Sequence, residues 1–324
     1  TVSARWPPVD EHLASEAPRG KSVLWGVVVT YRRPAALAET LAALARQTRL
    51  VDRLLVIDNA GDSETARLAS DAGATYVDAG TNLGPAGAID LGMRLVLREA
   101  RAEDWLLLLD DDDPPTSEGA VRQLHEFGER MAALDAGTAG VGLTGARYNP
   151  CRGVVERVPD AELSGPVPVD HIGGGQLPMY RCGPVSRVGT FDPGLFFGFE
   201  ELEYGLRLHR AGYHLYIDGA AWRERRQEAG RLGLHPSALR TSSDTAAWRR
   251  FYSARNIVLI ARRYGTRRLT APRVATLGAL RGMLALAAAR RPPSEVLLPA
   301  KGAVAGLLQH SGRTVDPGEA KKTA

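Results

Sequence analysis

Runs of apolar residues alternate with segments of helical periodicity from residue 24 onward. Leu37, Leu41 and Leu44, for example, recur at helical spacing after Pro34, and proline is common at helix starts. Runs that are apolar throughout are typical of strands buried on both faces. The pattern therefore predicts an α/β protein with a mostly parallel central sheet flanked by helices. In this half the predicted strands are 24–30, 53–59, 74–78 and 105–110, and the predicted helices begin at Pro34 and span 63–72, 87–101 and 117–134.

The pattern changes character after residue 134, which predicts a mixed second half. Its elements are predicted as strands at 139–147, 153–158 and 167–172 and helices at 201–211, 244–263 and 271–290. We therefore expect an N-terminal arm (1–22), an α/β domain (23–240) in two halves (23–115 and 116–240), and a C-terminal helical region (241–324).

Polar residues follow each apolar run of the first half. Thr30 ends the first strand and Arg33 follows it, Asp58 and Asn59 end the second, and Asn82 follows the third. The fourth ends in an acidic run. Because ligands bind at the carboxyl ends of strands in open α/β sheets, we expect these side chains to converge on one site.

The acidic run "LLLLDDDDPP" (106–115) places four carboxylates where a buried strand ends. Charges this close repel, so a bound cation is one explanation. A calcium loop is excluded because Pro114 and Pro115 stand where the loop would continue. In extended chain, Asp110 and Asp112 project to the same side and can share a hard divalent cation. The other explanation, a solvated acidic turn, fits Asp113 and also Asp111.

Two further segments carry weaker signals. "TNLGPAGAIDLG" (81–92) has small residues at a strand-to-helix junction, where a helix start can face phosphate, but it lacks the spacing of a dinucleotide fingerprint. "FFGFEELEYGLRLHRAGY" (196–213) places Glu200, Glu201 and Glu203 in a first helical turn. Acidic residues there are ordinary partners of the helix dipole, and one of them can also serve as a general base.

Composition narrows the class of protein. The 324 residues carry a net charge of +4 with a pI of about 9.2, which suits a sugar nucleotide or a lipid surface but equally a solvated arginine-rich face. Two cysteines without metal-ligand spacing favour a reduced compartment.

No signal peptide pattern opens the chain, and no run reaches the ~18 apolar residues of a spanning helix. We expect a cytoplasmic protein, with peripheral contact to the inner membrane face through the arginine-flanked helix 271–290 as an alternative to ordinary helix packing.

Six motifs occur in an order that resembles one known family. They are "VVVTYRRP", "VIDN", "NLGPAG", "LLLLDDDDPP", the stretch from "GGGQLPMYRCG" to "LHRAGY", and "FYSARN". Together, over residues 24–260, they are similar to the inverting family 2 glycosyltransferases of GT-A fold, and within these to the galactofuranosyl and rhamnosyl transferase branch. The resemblance implies a metal-dependent enzyme that transfers a sugar from a nucleotide donor to a hydroxyl acceptor, with no nucleic-acid partner.

The resemblance assigns roles residue by residue. It implies that Mg²⁺ or Mn²⁺ is bound by Asp110 and Asp112, and that Glu201, beside Glu200, is the catalytic base. The donor contacts that it implies are Thr30, Arg33, Asp58, Asn59, Asn82, Gly84, Asp110, Asp111, Gly174 and Gly175.

Two departures from the family pattern leave alternatives open. Glu201 stands where the family more often has Asp, and the metal-binding His expected after "GAAWRERRQ" (219–227) is absent. His235 is the nearest candidate for that ligand, and Trp222 and Arg223 can instead contact the acceptor. These departures also fit a non-catalytic sugar-nucleotide-binding partner subunit, while a nucleotidyltransferase of related fold fits less well. The expected donor is UDP-galactofuranose or a dTDP-rhamnose or deoxysugar type, and the acceptor is a lipid-linked glycan or a small molecule.

Overall fold

The computed structural model describes residues 22–173, 177–234 and 246–316. The strands are β1 (Leu24–Thr30), β2 (Arg53–Asp58), β3 (Thr75–Asp78), β4 (Trp105–Asp110), β5 (Thr138–Gly142), β6 (Gly145–Asn149), β7 (Val154–Glu156), β8 (Pro166–Val169), β9 (His171–Ile172), β10 (Met179–Arg181) and β11 (His214–Asp218). The helices are α1 (Pro34–Ala45), α2 (Ser63–Asp71), α3 (Gly84–Val96), α4 (Ala120–Leu134), α5 (Cys182–Val188), α6 (Glu200–Arg210), α7 (Gly219–Glu228), α8 (Ala247–Tyr264), α9 (Thr270–Ala288), α10 (Pro293–Val296) and α11 (Leu298–Leu307).

The central sheet has eight strands in the order β3-β2-β1-β4-β10-β5-β11-β8. β10 pairs antiparallel with both of its neighbours and β8 with β11, while the other strands run in one direction. A second sheet has the order β7-β6-β9. The expected α/β class with a mostly parallel central sheet is confirmed.

Helices cover both faces of the sheet, which explains why β1 is buried along its whole length. Leu24 and Val28 share one apolar cluster with side chains of α1, α2 and α4. Trp25, Val27 and Val29 share another with side chains of α3 and α6. Because successive side chains of a strand point to opposite faces, the single apolar run forms two cores.

The elements of the first half agree closely with the sequence prediction. β1 and β4 have the predicted bounds. Helix α3 is displaced from its predicted range of 87–101, since it begins at Gly84 and ends at Val96. The remaining helix and strand ends differ from the prediction by at most three residues.

Two predicted strands of the second half were wrong because the chain passes between the two sheets. The segment 139–147 divides into β5 and β6, and the segment 167–172 divides into β8 and β9. The crossing is close: a Cβ on Gly142 would lie 2.1 Å from Cγ2 of Ile172, and one on Gly145 would lie 2.7 Å from the carbonyl oxygen of His171. The pattern also missed β10, since three residues show no periodicity.

The C-terminal helices pack against the second half of the domain. Ile260 of α8 lies in one cluster with Tyr148, Leu202 and Leu206, which joins α8 to α6. Helices α8, α9 and α11 share a further apolar cluster. Within the described residues, no helix has the length and apolar character needed to cross a membrane.

Candidate active site

The polar ends of β1, β2 and β4 lie together, as the sequence predicted. The strand register places Thr30 of β1 beside Asp58 of β2 and Val29 beside Asp110 of β4. Since the three strands run parallel, their carboxyl ends share one edge of the sheet. The acidic run therefore begins at the same edge as the other predicted donor contacts.

Asp111 is the buried anchor of the acidic run. Its Oδ2 accepts a hydrogen bond from Oγ1 of Thr30 at 2.8 Å, and its Oδ1 accepts one from the guanidinium of Arg33 at 3.3 Å. Its carbonyl oxygen accepts a hydrogen bond from Oγ1 of Thr40 at 2.8 Å. Burial raises the pKa of Asp111 despite these donors. Thr30 and Arg33, both predicted donor contacts, thus hold the side chain of Asp111 in place, while Thr40 holds its backbone.

Asp110 and Asp112 have different surroundings. Asp112 is exposed and forms an ion pair with Arg33. Burial, with Asp112 as the next cause, raises the pKa of Asp110 to about 6. Burial lowers the pKa of Arg33, but Asp111 and Asp112 more than offset this and raise it. The run therefore attracts a cation, and in this structure a guanidinium supplies the positive charge.

The two predicted catalytic glutamates begin helix α6. Gly198 and Phe199 before them have positive φ angles of 82° and 68° and turn the chain sharply into the helix. The Oε2 atom of Glu200 is buried and has no hydrogen-bond partner among the described residues. Burial and the charge of Glu201 raise the pKa of Glu200, and burial, with a contribution from Asp110, raises that of Glu201 to about 7.

The charge of Asp110 acts on both Glu200 and Glu201, although 90 positions separate it from the first of them. The end of β4 and the start of α6 therefore lie close enough for their carboxylates to interact. A half-buried glutamate with a pKa near neutrality is suited to accept a proton at physiological pH.

Asn59, Asn82 and Gly84 connect the sheet edge to the start of α3. Oδ1 of Asn59 accepts a hydrogen bond from the backbone N–H of Leu83 at 3.1 Å, and Oδ1 of Asn82 accepts one from that of Gly84 at 2.9 Å. Gly84 has a φ of +69°, and a Cβ there would lie 2.2 Å from the carbonyl oxygen of Phe196. The helix start thus packs against the segment that leads into α6.

Asp58 is fully buried and stabilises the turn that follows β2. Its Oδ1 accepts a hydrogen bond from the backbone N–H of Ala60 at 2.8 Å. Its Oδ2 accepts hydrogen bonds from the backbone N–H of Asp62 at 2.7 Å and from the hydroxyl of Tyr76 at 3.0 Å. The two backbone bonds shape the turn at the sheet edge, and the bond from Tyr76 ties it to β3. The role of Asp58 as a donor contact remains a prediction.

Sequence reasoning assigned no role to the "RN" pair of α8, which supports the segment before α6. Nδ2 of Asn256 lies 2.8–2.9 Å from the carbonyl oxygens of Leu195, Phe197 and Gly198, as donor to each. The guanidinium of Arg255 donates to the carbonyl oxygens of Gly194 and Leu195. The available signal in the sequence was the position of Arg255 and Asn256 next to apolar residues of a predicted helix. Polar groups that are buried in this way need hydrogen-bond partners.

Helix α7 places the basic residue Arg225 beside the acidic run. The sequence prediction did not include this residue in the site. Arg225 donates to Oγ1 of Thr116 at 2.6 Å, and its charge acts on Asp113, whose pKa is raised by burial and by Asp112. Trp222, considered as an acceptor contact, is buried with the guanidinium of Arg226 at 3.9 Å from its ring centroid. The predicted positions Gly174, Gly175 and His235 lie outside the described residues.

The described residues contain no group of three or more His, Cys, Asp or Glu side chains arranged to hold a metal ion. Asp110 and Asp112 are nevertheless hard oxygen donors at the predicted position. Two carboxylates are a usual protein contribution to a Mg²⁺ site that is completed by substrate phosphates.

Residues 27–155 match the family model described as "Glycosyl transferase family 2". This part of the chain is a family 2 glycosyltransferase domain. The matched range contains the ends of β1, β2 and β4 and the acidic run. Helix α6 and the "RN" pair lie beyond it.

Curated relatives extend the match. The protein named galactofuranosyltransferase GlfT1 of Mycobacterium tuberculosis is 32% identical over 205 residues, which cover 58% of this chain and 65% of that protein. The protein of the same name from Mycolicibacterium smegmatis is 31% identical over 204 residues, or 59% of this chain and 66% of that protein. The chain thus spans slightly less than two thirds of the length of these relatives.

Solved structures show a more distant likeness. The structure of GalNAc-T7 with UDP, GalNAc and Mn²⁺ matches with a TM-score of 0.48 and 14% identity, covering 61% of this chain and 42% of that one. The mannosyltransferase PcManGT from Pyrobaculum calidifontis, in complex with GDP-Man and Mn²⁺, matches with a TM-score of 0.46 and 17% identity, covering 88% and 87%.

Proposed function

We propose that this chain is an inverting, metal-dependent glycosyltransferase that transfers galactofuranose from UDP-galactofuranose to a hydroxyl acceptor. The observation that carries the proposal is the approach of two distant carboxylate groups, Asp110 at the end of β4 and Glu201 at the start of α6. The glycosyltransferase domain match supports the reaction class, and the names of the curated relatives favour galactofuranose over rhamnose.

In this mechanism Glu201 acts as the general base. Its carboxylate takes the proton of the acceptor hydroxyl while the acceptor oxygen forms a bond to the anomeric carbon. The bond between that carbon and the diphosphate oxygen breaks, and the electron pair leaves with UDP. Because attack comes from the face opposite the leaving group, a single displacement inverts the configuration. A pKa of about 7 leaves a useful fraction of Glu201 ionised at neutral pH.

The acidic run and its neighbours would hold the donor. Asp110 and Asp112 would bind Mg²⁺ or Mn²⁺, an ion that supplies positive charge to the departing diphosphate. Arg33 and Arg225 lie beside the same run and would contribute further positive charge. Asp58, Asn59, Asn82 and Gly84 would shape the floor under the nucleotide, because their hydrogen bonds fix the loops at the sheet edge.

The proposal is tested by the release of nucleoside diphosphate from UDP-galactofuranose and dTDP-rhamnose, with and without Mn²⁺, using a panel of hydroxyl acceptors. We expect release from the UDP sugar with Mn²⁺, a loss of at least a hundredfold in Glu201→Gln, and a product of inverted anomeric configuration by NMR. A wild type as inactive as Glu201→Gln with every donor, yet stabilised by UDP in a thermal-shift assay, would indicate a non-catalytic nucleotide-sugar-binding subunit.

A further inference from the structure

Helices α9 and α11 expose a set of apolar side chains that we name the C-terminal apolar surface. Of the eleven large hydrophobic side chains that are exposed in the described residues, seven lie between residues 269 and 308. Helix α9 and the segment around α11 are adjacent, since Gly282 packs against Pro299. The C-terminal apolar surface consists of Leu269, Leu277, Leu280, Leu284, Leu297, Val304 and Leu308.

These side chains lie in stripes along the helices. Leu277, Leu280 and Leu284 are spaced by three and four positions, so they share one face of α9, and they are 39%, 52% and 60% exposed. Val304 and Leu308 are spaced by four positions, at the end of α11, and are 54% and 62% exposed. Helix α9 buries other residues, such as Val274 and Leu286, so the leucine stripe is not needed for its packing.

The charge of this region differs sharply from that of the whole chain. Thirteen arginine and lysine side chains lie between residues 246 and 316, against two acidic ones, Glu295 and Asp316, whereas the whole chain has a net charge of only +4. Within the described part of the chain, no ion pair involves the exposed residues Arg267, Arg268, Arg273, Arg281 and Arg290. Among the described residues, exposed guanidinium groups without an ion pair therefore lie near the exposed leucines.

We infer that the C-terminal apolar surface binds the face of an anionic phospholipid bilayer. Leucines on an interfacial helix bury their side chains at the boundary between headgroups and acyl chains, while arginines bind lipid phosphates. Each basic residue near such a surface adds to the attraction. Since no described helix is long and apolar enough to span the bilayer, this helix pair would lie on the membrane.

A second copy of this chain fits the surface less well. A two-fold interface pairs the same patch with itself, so it would bring Arg273 and Arg281 of one copy towards the arginines of the other. Like charges in an interface oppose association. An anionic bilayer instead offers apolar contact to the leucines and negative charge to the guanidinium groups.

The test is sedimentation of the full chain with vesicles of phosphatidylcholine alone or with one third phosphatidylglycerol. We expect binding to the anionic vesicles that weakens as NaCl is raised. Arg273→Gln/Arg281→Gln should weaken binding by roughly thirtyfold, because two cationic side chains near the surface are removed. Leu280→Gln/Leu284→Gln should weaken binding to the same vesicles without changing its dependence on salt.

Matched control variants lie elsewhere on the surface. Arg98→Gln/Arg122→Gln removes two exposed arginines, and Leu50→Gln/Leu134→Gln removes two exposed leucines. Both should bind anionic vesicles as the wild type does, and all variants should keep the wild-type circular dichroism spectrum. Equal binding to neutral and anionic vesicles would overturn the inference. The inference would also be overturned if the wild type were a dimer, and if Leu280→Gln/Leu284→Gln converted it to a monomer while leaving vesicle binding unchanged.

Discussion

Four consecutive aspartates, Asp110 to Asp113, have four different sets of neighbours. Asp110 faces the glutamates of α6, Asp111 is bonded to Thr30, Asp112 pairs with Arg33, and Asp113 lies in the field of Arg225. The backbone thus places adjacent carboxylates in different surroundings. Arg33 and Arg225 offset part of the repulsion within the run, whereas the glutamates of α6 add to it.

The division of tasks predicts different effects of two neighbouring substitutions. Asp112→Ala should lower metal-dependent turnover by at least a hundredfold, because it removes a proposed metal ligand, while Asp113→Ala should lower it by less than about tenfold. The measurement is nucleoside diphosphate release at saturating Mn²⁺, with melting temperature as the check on folding. Equal losses in the two variants would mean that the assigned register is wrong by one residue.

The raised pKa of Glu201 predicts that the residue destabilises the fold at high pH. Its pKa is about 7 in the folded chain and about 4.5 for a glutamate fully exposed to water, so the folded state resists its ionisation. Below pH 4.5 this carboxyl group does not reduce the free energy of unfolding. As the pH rises from 4.5 towards 7, it reduces the free energy of unfolding progressively. Glu201→Gln should therefore stabilise the protein by about 3 kcal/mol at pH 8 in EDTA and have little effect at pH 4.5.

Urea unfolding of both proteins across this pH range measures the difference. Glu118→Gln, which changes an exposed glutamate, is the matched control and should show no such trend. A Glu201→Gln variant less stable than the wild type at pH 8 would contradict the assigned burial of this carboxylate.

The segment 194–199 is the element on which the site depends most. It joins a short 3₁₀ turn to α6, contains three residues with positive φ, and is contacted by both α3 and α8. Side chains of this segment also pack inward, since Leu195 and Phe196 are buried. Its backbone shape is therefore maintained by neighbours rather than by regular secondary structure.

The contact between Gly84 and this segment predicts a large effect of an added methyl group. Gly84→Ala should lower the free energy of unfolding by roughly 2–4 kcal/mol, because a Cβ would overlap the carbonyl oxygen of Phe196. Gly80 is the matched control: its φ is +70°, but a Cβ there has no neighbour within 4 Å. Gly80→Ala should cost only about 1 kcal/mol, the strain of the positive φ. Equal costs in urea unfolding would argue against the contact.

The bonds made by Asn256 predict that it is a positioning residue for α6. Asn256→Ala removes the side-chain donor to the carbonyl oxygens of Phe197 and Gly198 and leaves that of Leu195 with Arg255, so we expect kcat to fall about tenfold while KM for the donor changes little. Thr138→Val removes one buried hydrogen bond to the carbonyl oxygen of Met131, away from the site. It should lower the melting temperature but not kcat. If both variants lost activity in proportion to stability, Asn256 would have a structural role only.

The sequence pattern predicted the elements of the first half well because β1, β2 and β4 each contain a continuous apolar run. It failed where structure depends on distant pairing. β10 inserts between β4 and β5, although its three residues carry no signal of their own. For the candidate site, the spacing of the acidic run predicted Asp110 and the family resemblance predicted Glu201, but the position of Asn256 depends on contacts with residues 58 to 61 positions away.

At the scale of the whole molecule, the C-terminal region is part of the support of the site. Arg255 donates to the carbonyl oxygen of Gly312 as well as to those of Gly194 and Leu195. The hydroxyl of Tyr252 bonds to the backbone of Thr314 and Val315. Burial lowers the pKa of Arg255 to about 10, as expected of a cation that depends on neutral acceptors. The predicted boundary at residue 240 therefore does not separate the site from its supports.

These contacts predict the effect of shortening the chain. A variant that ends at Ser311 should lose about 3 kcal/mol of stability, because the guanidinium of Arg255 would be left with fewer acceptors. A variant that ends at Asp316 keeps every contact described above and is the matched control. Urea unfolding compares the two, and equal stability would show that residues 312–316 do not brace Arg255.

The link between Arg255 and Gly312 also bears on the order in which the site is completed during synthesis. Asp110 and Glu201 leave the ribosome well before residue 312, yet the segment that positions Glu201 gains its last hydrogen bonds only when Gly312 arrives, with Gly312 N–H donating to the carbonyl oxygen of Gly194. Contacts between such distant residues form slowly. A nascent chain is thus expected to form the sheet edge first, and to complete the hydrogen bonds around segment 194–199 only after Gly312 has been synthesised.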